Sequence, residues 1–168
     1  MQINMNCEPL ARDSNRRRQA PRVGIGAALG VAMIAATSSL AAGLPTVELA
    51  IKGHRIVAEV AASDPARTTG LMNRFSLQPD HGMLFVFREA QPQAFWMKNT
   101  YVPLSIAFIG RDGKILNIDD MAPLTENTHP SRGPALYALE MKKGWFTERG
   151  IGSGDVVAGL EKAPRAGE

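Results

Sequence analysis

The sequence predicts a mainly β protein, built as a single-domain β-sandwich or barrel-like fold with one short N-terminal helix. Two observations carry this. From residue 47 onward, short runs rich in Val, Ile, Leu and Phe recur between clusters of Gly, Pro, Asn and Asp, which is the pattern of strands and turns. Only one stretch, beginning at Ser63-Asp64-Pro65, opens with the capping residues and early proline of a helix start.

The first 43 residues have a different character. Arg16-Arg17-Arg18 and Arg22 precede an apolar, small-residue run from Val23 to Ala36. Ser39-Leu40-Ala41, or alternatively Ala41-Ala42-Gly43, offers small residues at the spacing a signal peptidase needs. Residues 1–43 are therefore expected to be a cleaved signal peptide. The run is short for a membrane span, which disfavours an uncleaved anchor. Gln19-Ala20 does not supply the apolar residues a twin-arginine signal carries. Cys7 lies before the apolar run and not at its end, which disfavours a lipoprotein. Cleavage removes Cys7, the only cysteine, so the mature domain is expected to hold no disulfide, thiolate metal site or cysteine nucleophile. The expected location is periplasmic or secreted, with no stable membrane insertion after cleavage.

Charge narrows the partners. Of 19 basic and 16 acidic residues, five and two lie in residues 1–41, which leaves 14 of each in the rest. A domain without basic excess has little to attract a phosphate backbone, so no nucleic acid is expected as a partner.

The elements follow in order. Val47–Ile51 and Arg55–Val60 form a hairpin across Lys52-Gly53-His54. The helix runs through Asn73 with Gly70 inside it, and Arg74 leaves its end. Gln78–Gly82 is a turn. Met83–Phe87, apolar on both faces, is an internal strand. Arg88–Pro92 turns the chain into Phe95-Trp96-Met97-Lys98-Asn99-Thr100, read as a central strand whose end opens onto a polar site. Leu104–Ile109 and Ile115–Asp120 pair across Gly110–Lys114. Met121–Pro134 is a long rim loop. Ala135–Met141 is a strand, Trp145–Gly150 a helical turn and Asp155–Leu160 a closing strand. Residues 44–160 make the β domain, and 161–168 a disordered tail.

Several of these stretches stand in an order that resembles domain-of-unknown-function family 192, also called uncharacterised protein family 0127. They are Gly70-Leu71-Met72-Asn73-Arg74, Gly82-Met83-Leu84-Phe85-Val86-Phe87, Phe95 to Thr100, Pro103-Leu104, Leu139-Glu140 and Gly154-Asp155. The resemblance covers Val47 to Leu160. It implies a compact β-sandwich or barrel-like domain, often exported, and brings no established activity. Members commonly carry Asp after the Pro-Leu pair, where this chain has Ser105.

The residues suggest a candidate site. Glu140 sits amid Leu136, Leu139 and Met141, where a carboxylate is costly without a partner, and Arg74 or Lys98 is the obvious one. Trp96 offers an aromatic wall, Lys98 a charged anchor and Asn99 an amide. The expectation is a non-catalytic binder of a small polar ligand or an envelope protein, through Arg74, Trp96, Lys98, Asn99 and Glu140, with no cofactor. One alternative is a hydrolase of envelope carbohydrate with Glu140 as acid or base. Another is soft-metal (copper) binding by Met72, Met83, Met97, Met121 and Met141, although they form no close-spaced cluster. His54, His81 and His129 fall in turns and loops, and no Gly-x-Ser-x-Gly elbow appears, so a serine hydrolase is disfavoured.

Overall fold

The computed structural model describes residues 43–167, and the expected signal peptide therefore lies outside the described residues. The domain is mainly β, a curled half-barrel sheet with one short helix. Strands β1 (Thr46–Ile51) and β2 (His54–Ala61) form the expected hairpin. Lys52 and Gly53 take φ of 50° and 83°, the left-handed pair that a two-residue hairpin turn requires. Helix α1 (Asp64–Thr69) carries the chain over to β3 (His81–Gln91), which pairs with β2 in parallel. Parallel neighbours need such a crossover. Next come β4 (Ala94–Phe95), β5 (Leu104–Ile109), β6 (Ile115–Met121), β7 (His129–Pro130), β8 (Ala135–Lys142) and β9 (Val157–Ala158). The seven-stranded sheet runs β6-β5-β8-β3-β2-β1-β9, and β4 and β7 form a separate two-stranded ribbon.

Both faces of the sheet are buried. One carries Leu49, Ile51, Leu84, Leu139 and Met141 under Trp145, Phe146 and Ile151. The other carries Met83, Phe85, Phe87, Leu104, Ile106 and Phe108 under Leu71, Phe95, Met97 and Val102. This explains why β3 and β5 are apolar at consecutive positions and not at alternate ones.

Several expectations need correction. Strand β3 runs on through Gln91, where a turn over Arg88–Pro92 is expected from the sequence, and β7 interrupts the expected rim loop. Gly70 is not inside the helix but caps it, at φ 49°, and a Cβ there would come within 3.3 Å of the Phe85 ring. The Phe95–Thr100 stretch is not a central strand. Its ladder ends at Phe95, because the Met97 N–H turns aside to donate to Thr125 O at 2.9 Å and Asn99 takes φ 54°. Residues 161–167, expected as a disordered tail, begin with a 3-10 turn (Leu160–Lys162) and run back along the domain, where the Gly167 N–H donates to Ala62 O at 3.1 Å.

Candidate functional site

Register brings together what the sequence holds apart. On the second face one row crosses the sheet: Glu59 beside Met83, Met83 beside Glu140, Glu140 beside Ile106, Ile106 beside Asp119. Side chains in such a row point the same way. Three carboxylates thus stand in one row of the sheet, each one residue removed from the next.

They are treated differently. Glu59 is bound by Arg74 in a two-pronged ion pair, at 2.5 and 2.7 Å. The Arg74 hydrogen bonds hold the Glu59 carboxyl below its ordinary value. Asp119, half-buried, makes no ion pair among the described residues. Glu140 is only 3% exposed, and among the described residues it has neither hydrogen bond nor ion pair. Burial pushes its carboxyl up.

The two partners expected for Glu140 are therefore engaged elsewhere. Arg74 serves Glu59, and Lys98 faces Glu126 at 3.7 Å with both side chains well exposed. The Lys98 ammonium also lies 5.2 Å from the centre of the Trp96 ring, an arrangement worth about 0.5–1 kcal/mol at an exposed site. Asn99 is exposed, and what distinguishes it is its backbone. At φ 54° it presents its carbonyl to the Asn73 N–H at 2.9 Å, and Asn73 is itself left-handed at φ 59°. These two asparagines lock the turn after α1 to the turn after Met97. Of the five residues expected in one site, Trp96, Lys98 and Asn99 lie on the surface turn, Arg74 in a separate ion pair and Glu140 in the sheet.

Two outcomes follow from these contacts. Asn99→Ala is expected to cost about 1 kcal/mol, because alanine resists positive φ, while Asn99→Gly should be near neutral; urea melts of both variants check this. Arg74→Ala is expected to cost no more than about 1 kcal/mol, since the pair is part-exposed. Glu59 has a depressed folded-state value, so this contribution is present above the ordinary glutamate value near 4.5 and is lost as pH falls through the folded one. Thermal melts at neutral and acid pH should show the two proteins converging in acid.

Ser105 stands on the opposite face from Glu140. Its hydroxyl donates to Asp120 Oδ1 at 2.5 Å and accepts the Gly144 N–H at 2.9 Å. Asp120 is the residue directly across from Ser105 on β6, so the register itself places a carboxylate beside this hydroxyl. The five methionines do not gather. Met83, Met97 and Met121 are core side chains of one face, Met141 belongs to the other, and Met72 is half-buried after α1. Among the described residues, no group of three or more His, Cys, Asp or Glu side chains could hold a metal ion. No helix among them is long and apolar enough to cross a membrane.

One step along the strands from the Glu140 row, on the same face, are His81 and Lys142, which sequence reasoning had left out of the site. Both line a cavity of about 220 Å³ at this end of the sheet, together with Lys143, Trp145 and Arg149. Arg149 lies 4.4 Å from the centre of the Trp145 ring and donates to Asp80 at 3.0 Å, and Asp80 also accepts the Trp145 indole N–H at 2.8 Å. Only strand register could have revealed this neighbourhood.

Fold and site together define a small, mainly β domain with a buried carboxylate, Glu140, that makes no ion pair among the described residues of a half-barrel sheet. Residues 47–159 match the model of domain-of-unknown-function family 192, described as "Uncharacterized ACR", and the chain belongs to that family. Two solved structures are similar. One is a protein of Sinorhizobium meliloti 1021 described as a candidate transcription regulator, 38% identical, covering 70% of this chain and 96% of its own, with a TM-score of 0.67. The other is a protein of unknown function from Novosphingobium aromaticivorans DSM 12444, 35% identical, covering 70% and 88%, with a TM-score of 0.66. No curated protein matches the chain.

Proposed function

We propose that this is an exported, periplasmic or secreted domain that binds a small polar ligand without turnover, and that Glu140 is the group the ligand satisfies. The burial of Glu140 without a partner among the described residues carries this reading. An uncompensated buried carboxylate costs several kcal/mol by order of magnitude, so a fold that retains one holds a group in want of a donor. The leader pattern of residues 1–43 supports export. The even balance of 14 basic and 14 acidic residues outside residues 1–41 supports a ligand other than nucleic acid.

The hydrolase alternative needs a second carboxylate working with Glu140. Glu59 is held by Arg74, and Asp119 stands two strands away, about 10 Å between backbones, with Ile106 between them. Binding is the simpler use of one buried acid. The test is a thermal-shift screen against sugars, peptidoglycan fragments, nucleotides, amino acids and metals, on the native protein and on Glu140→Gln. A specific ligand at a hundred times its dissociation constant adds about 2.7 kcal/mol, a midpoint rise of several degrees. The reading expects such a rise in the native protein and its loss in Glu140→Gln. An undiminished rise in the variant contradicts it, and product formation abolished by the variant favours the hydrolase.

A further inference from the structure

We propose a second binding site, on the surface of the domain, where the aromatic pair Phe75 and Tyr101 and the side-chain amides of Asn73 and Asn99 bind a neutral carbohydrate chain. This site is separate from Glu140 and stands whether or not Glu140 binds a ligand.

Three loops meet here, stitched by their backbones. The Asn73 N–H donates to Asn99 O at 2.9 Å, the Leu124 N–H to Thr100 O at 3.1 Å and the Met97 N–H to Thr125 O at 2.9 Å. Each loop carries a non-glycine residue at positive φ: Asn73 at 59°, Asn99 at 54° and Leu124 at 59°. Asparagine tolerates that region, whereas a bulky leucine there is an outlier. The same loops gather exposed apolar side chains. Among the described residues four large hydrophobic side chains are exposed, and three of them are Phe75 at 79%, Tyr101 at 43% and Leu124 at 56%. Single exposed hydrophobics need no explanation, but a group of them on loops fastened in an uncommon backbone does. Each locked asparagine sets an aromatic two residues further on, in Asn73-Arg74-Phe75 and Asn99-Thr100-Tyr101. The two rings stack with centroids 4.9 Å apart and planes 30° from parallel. The lock thus holds a pair of rings in place in the solvent.

The polar groups beside the rings choose the occupant. Asn73 and Asn99 are exposed, and their side-chain amides make no hydrogen bond among the described residues. An amide both donates and accepts, as a sugar hydroxyl does. The flanking charges are paired, Arg74 with Glu59 and Lys98 with Glu126, so nothing there selects a charged ligand. A sugar ring presents C–H groups on its faces and hydroxyls around its edge. The C–H groups suit the negative face of an aromatic ring, and the hydroxyls suit the amides. A lipid surface would take the rings but would strand both amides away from water, at a cost. Phe75 stands open to solvent, which suits a chain lying across it.

The test is calorimetric titration of the full chain with chitohexaose, cellohexaose and maltohexaose. The expected result is binding of at least one of them, weakened about tenfold or more by Phe75→Ala with Tyr101→Ala. Asn73→Gly with Asn99→Gly removes the amides while keeping the left-handed backbone accessible, and should weaken binding by a similar factor. Circular dichroism melts confirm that both double variants fold. Glu140→Gln should bind the oligosaccharide as the native protein does. Binding undiminished by the aromatic substitutions overturns the proposal. So does sugar binding that Glu140→Gln abolishes and the aromatic substitutions leave intact, although that result supports Glu140 as a binding group. Absence of binding to all three oligosaccharides overturns it too. If phosphatidylcholine vesicles bind instead, or the chain self-associates in sedimentation, and the aromatic substitutions abolish either behaviour, the patch is a membrane or protein contact and the carbohydrate is wrong.

Discussion

Phe95→Ala is expected to destabilise the domain by about 3–5 kcal/mol, the largest effect of any single truncation considered for this chain. Phe95 is fully buried and edge-on to three other rings: Phe85 at 4.9 Å, Phe108 at 5.7 Å and Phe87 at 6.4 Å between centroids. Its strand does not belong to the main sheet, so the ring does what a ladder does elsewhere. It fastens the β4–β7 ribbon, and the Trp96–Thr100 turn that follows, over the face that holds Glu140. Removing it leaves a ring-sized cavity and loses three edge-to-face contacts. Urea melts of the two proteins measure the loss. Trp96→Ala, one residue along but only half-buried, should cost clearly less. A loss below about 1 kcal/mol at Phe95 would mean that the ribbon is not held by this cluster.

Glu140→Gln is expected to stabilise the ligand-free protein, by about 1–3 kcal/mol above neutral pH. The sign follows from the direction of the shift. A carboxyl whose folded-state value is raised binds more protons when folded than when unfolded, between those two values. Its contribution is complete below the ordinary value near 4.5 and is lost as pH rises through the folded one. The native protein should therefore lose stability as pH rises across that window, and Glu140→Gln should not. In acid the two should melt together. Most substitutions of buried polar residues destabilise, so a gain that grows with pH is a specific signature. Loss of stability at all pH values would show that the carboxylate is well satisfied in the folded state.

The sequence made most of the fold legible for local reasons. The β1–β2 hairpin was readable because Lys52-Gly53 is a two-residue turn with a glycine at positive φ. Leu104–Ile109 was placed to the residue, bounded by Pro103 and Gly110. The α1 start was readable from the cap, where Ser63 Oγ accepts the Ala66 N–H at 3.3 Å. Its end was missed, because glycine inside a helix and glycine ending one look alike until Phe85 is seen packed against it. The Phe95–Thr100 stretch was misjudged for a related reason. Its alternation is real, since Phe95 and Met97 are buried and Lys98 is exposed, but alternation does not say which sheet a strand joins.

The site was legible at one residue. Glu140 stood out because a carboxylate between Leu139 and Met141 needs an explanation. Its surroundings were not legible, because Glu59, Met83, Ile106 and Asp119 meet it only through the pairing of five strands. Asn73 and Asn99 were visible as polar residues but not as backbone devices, since left-handed φ leaves no mark in a sequence beyond the residue type itself. Ser105 shows the same limit, because its partner Asp120 is adjacent only across the sheet.

The most direct test of the central claim is a carboxyl-carbon NMR titration of Glu140, assigned by comparison with Glu140→Gln. The account predicts that Glu140 takes up its proton at a higher pH than the ordinary value near 4.5, and well above Glu59, which Arg74 holds down. A bound ligand that donates to the carboxylate should then pull it lower. Titration of Glu140 at or below the ordinary value in the ligand-free protein would contradict the account, because the carboxylate would already have its partner.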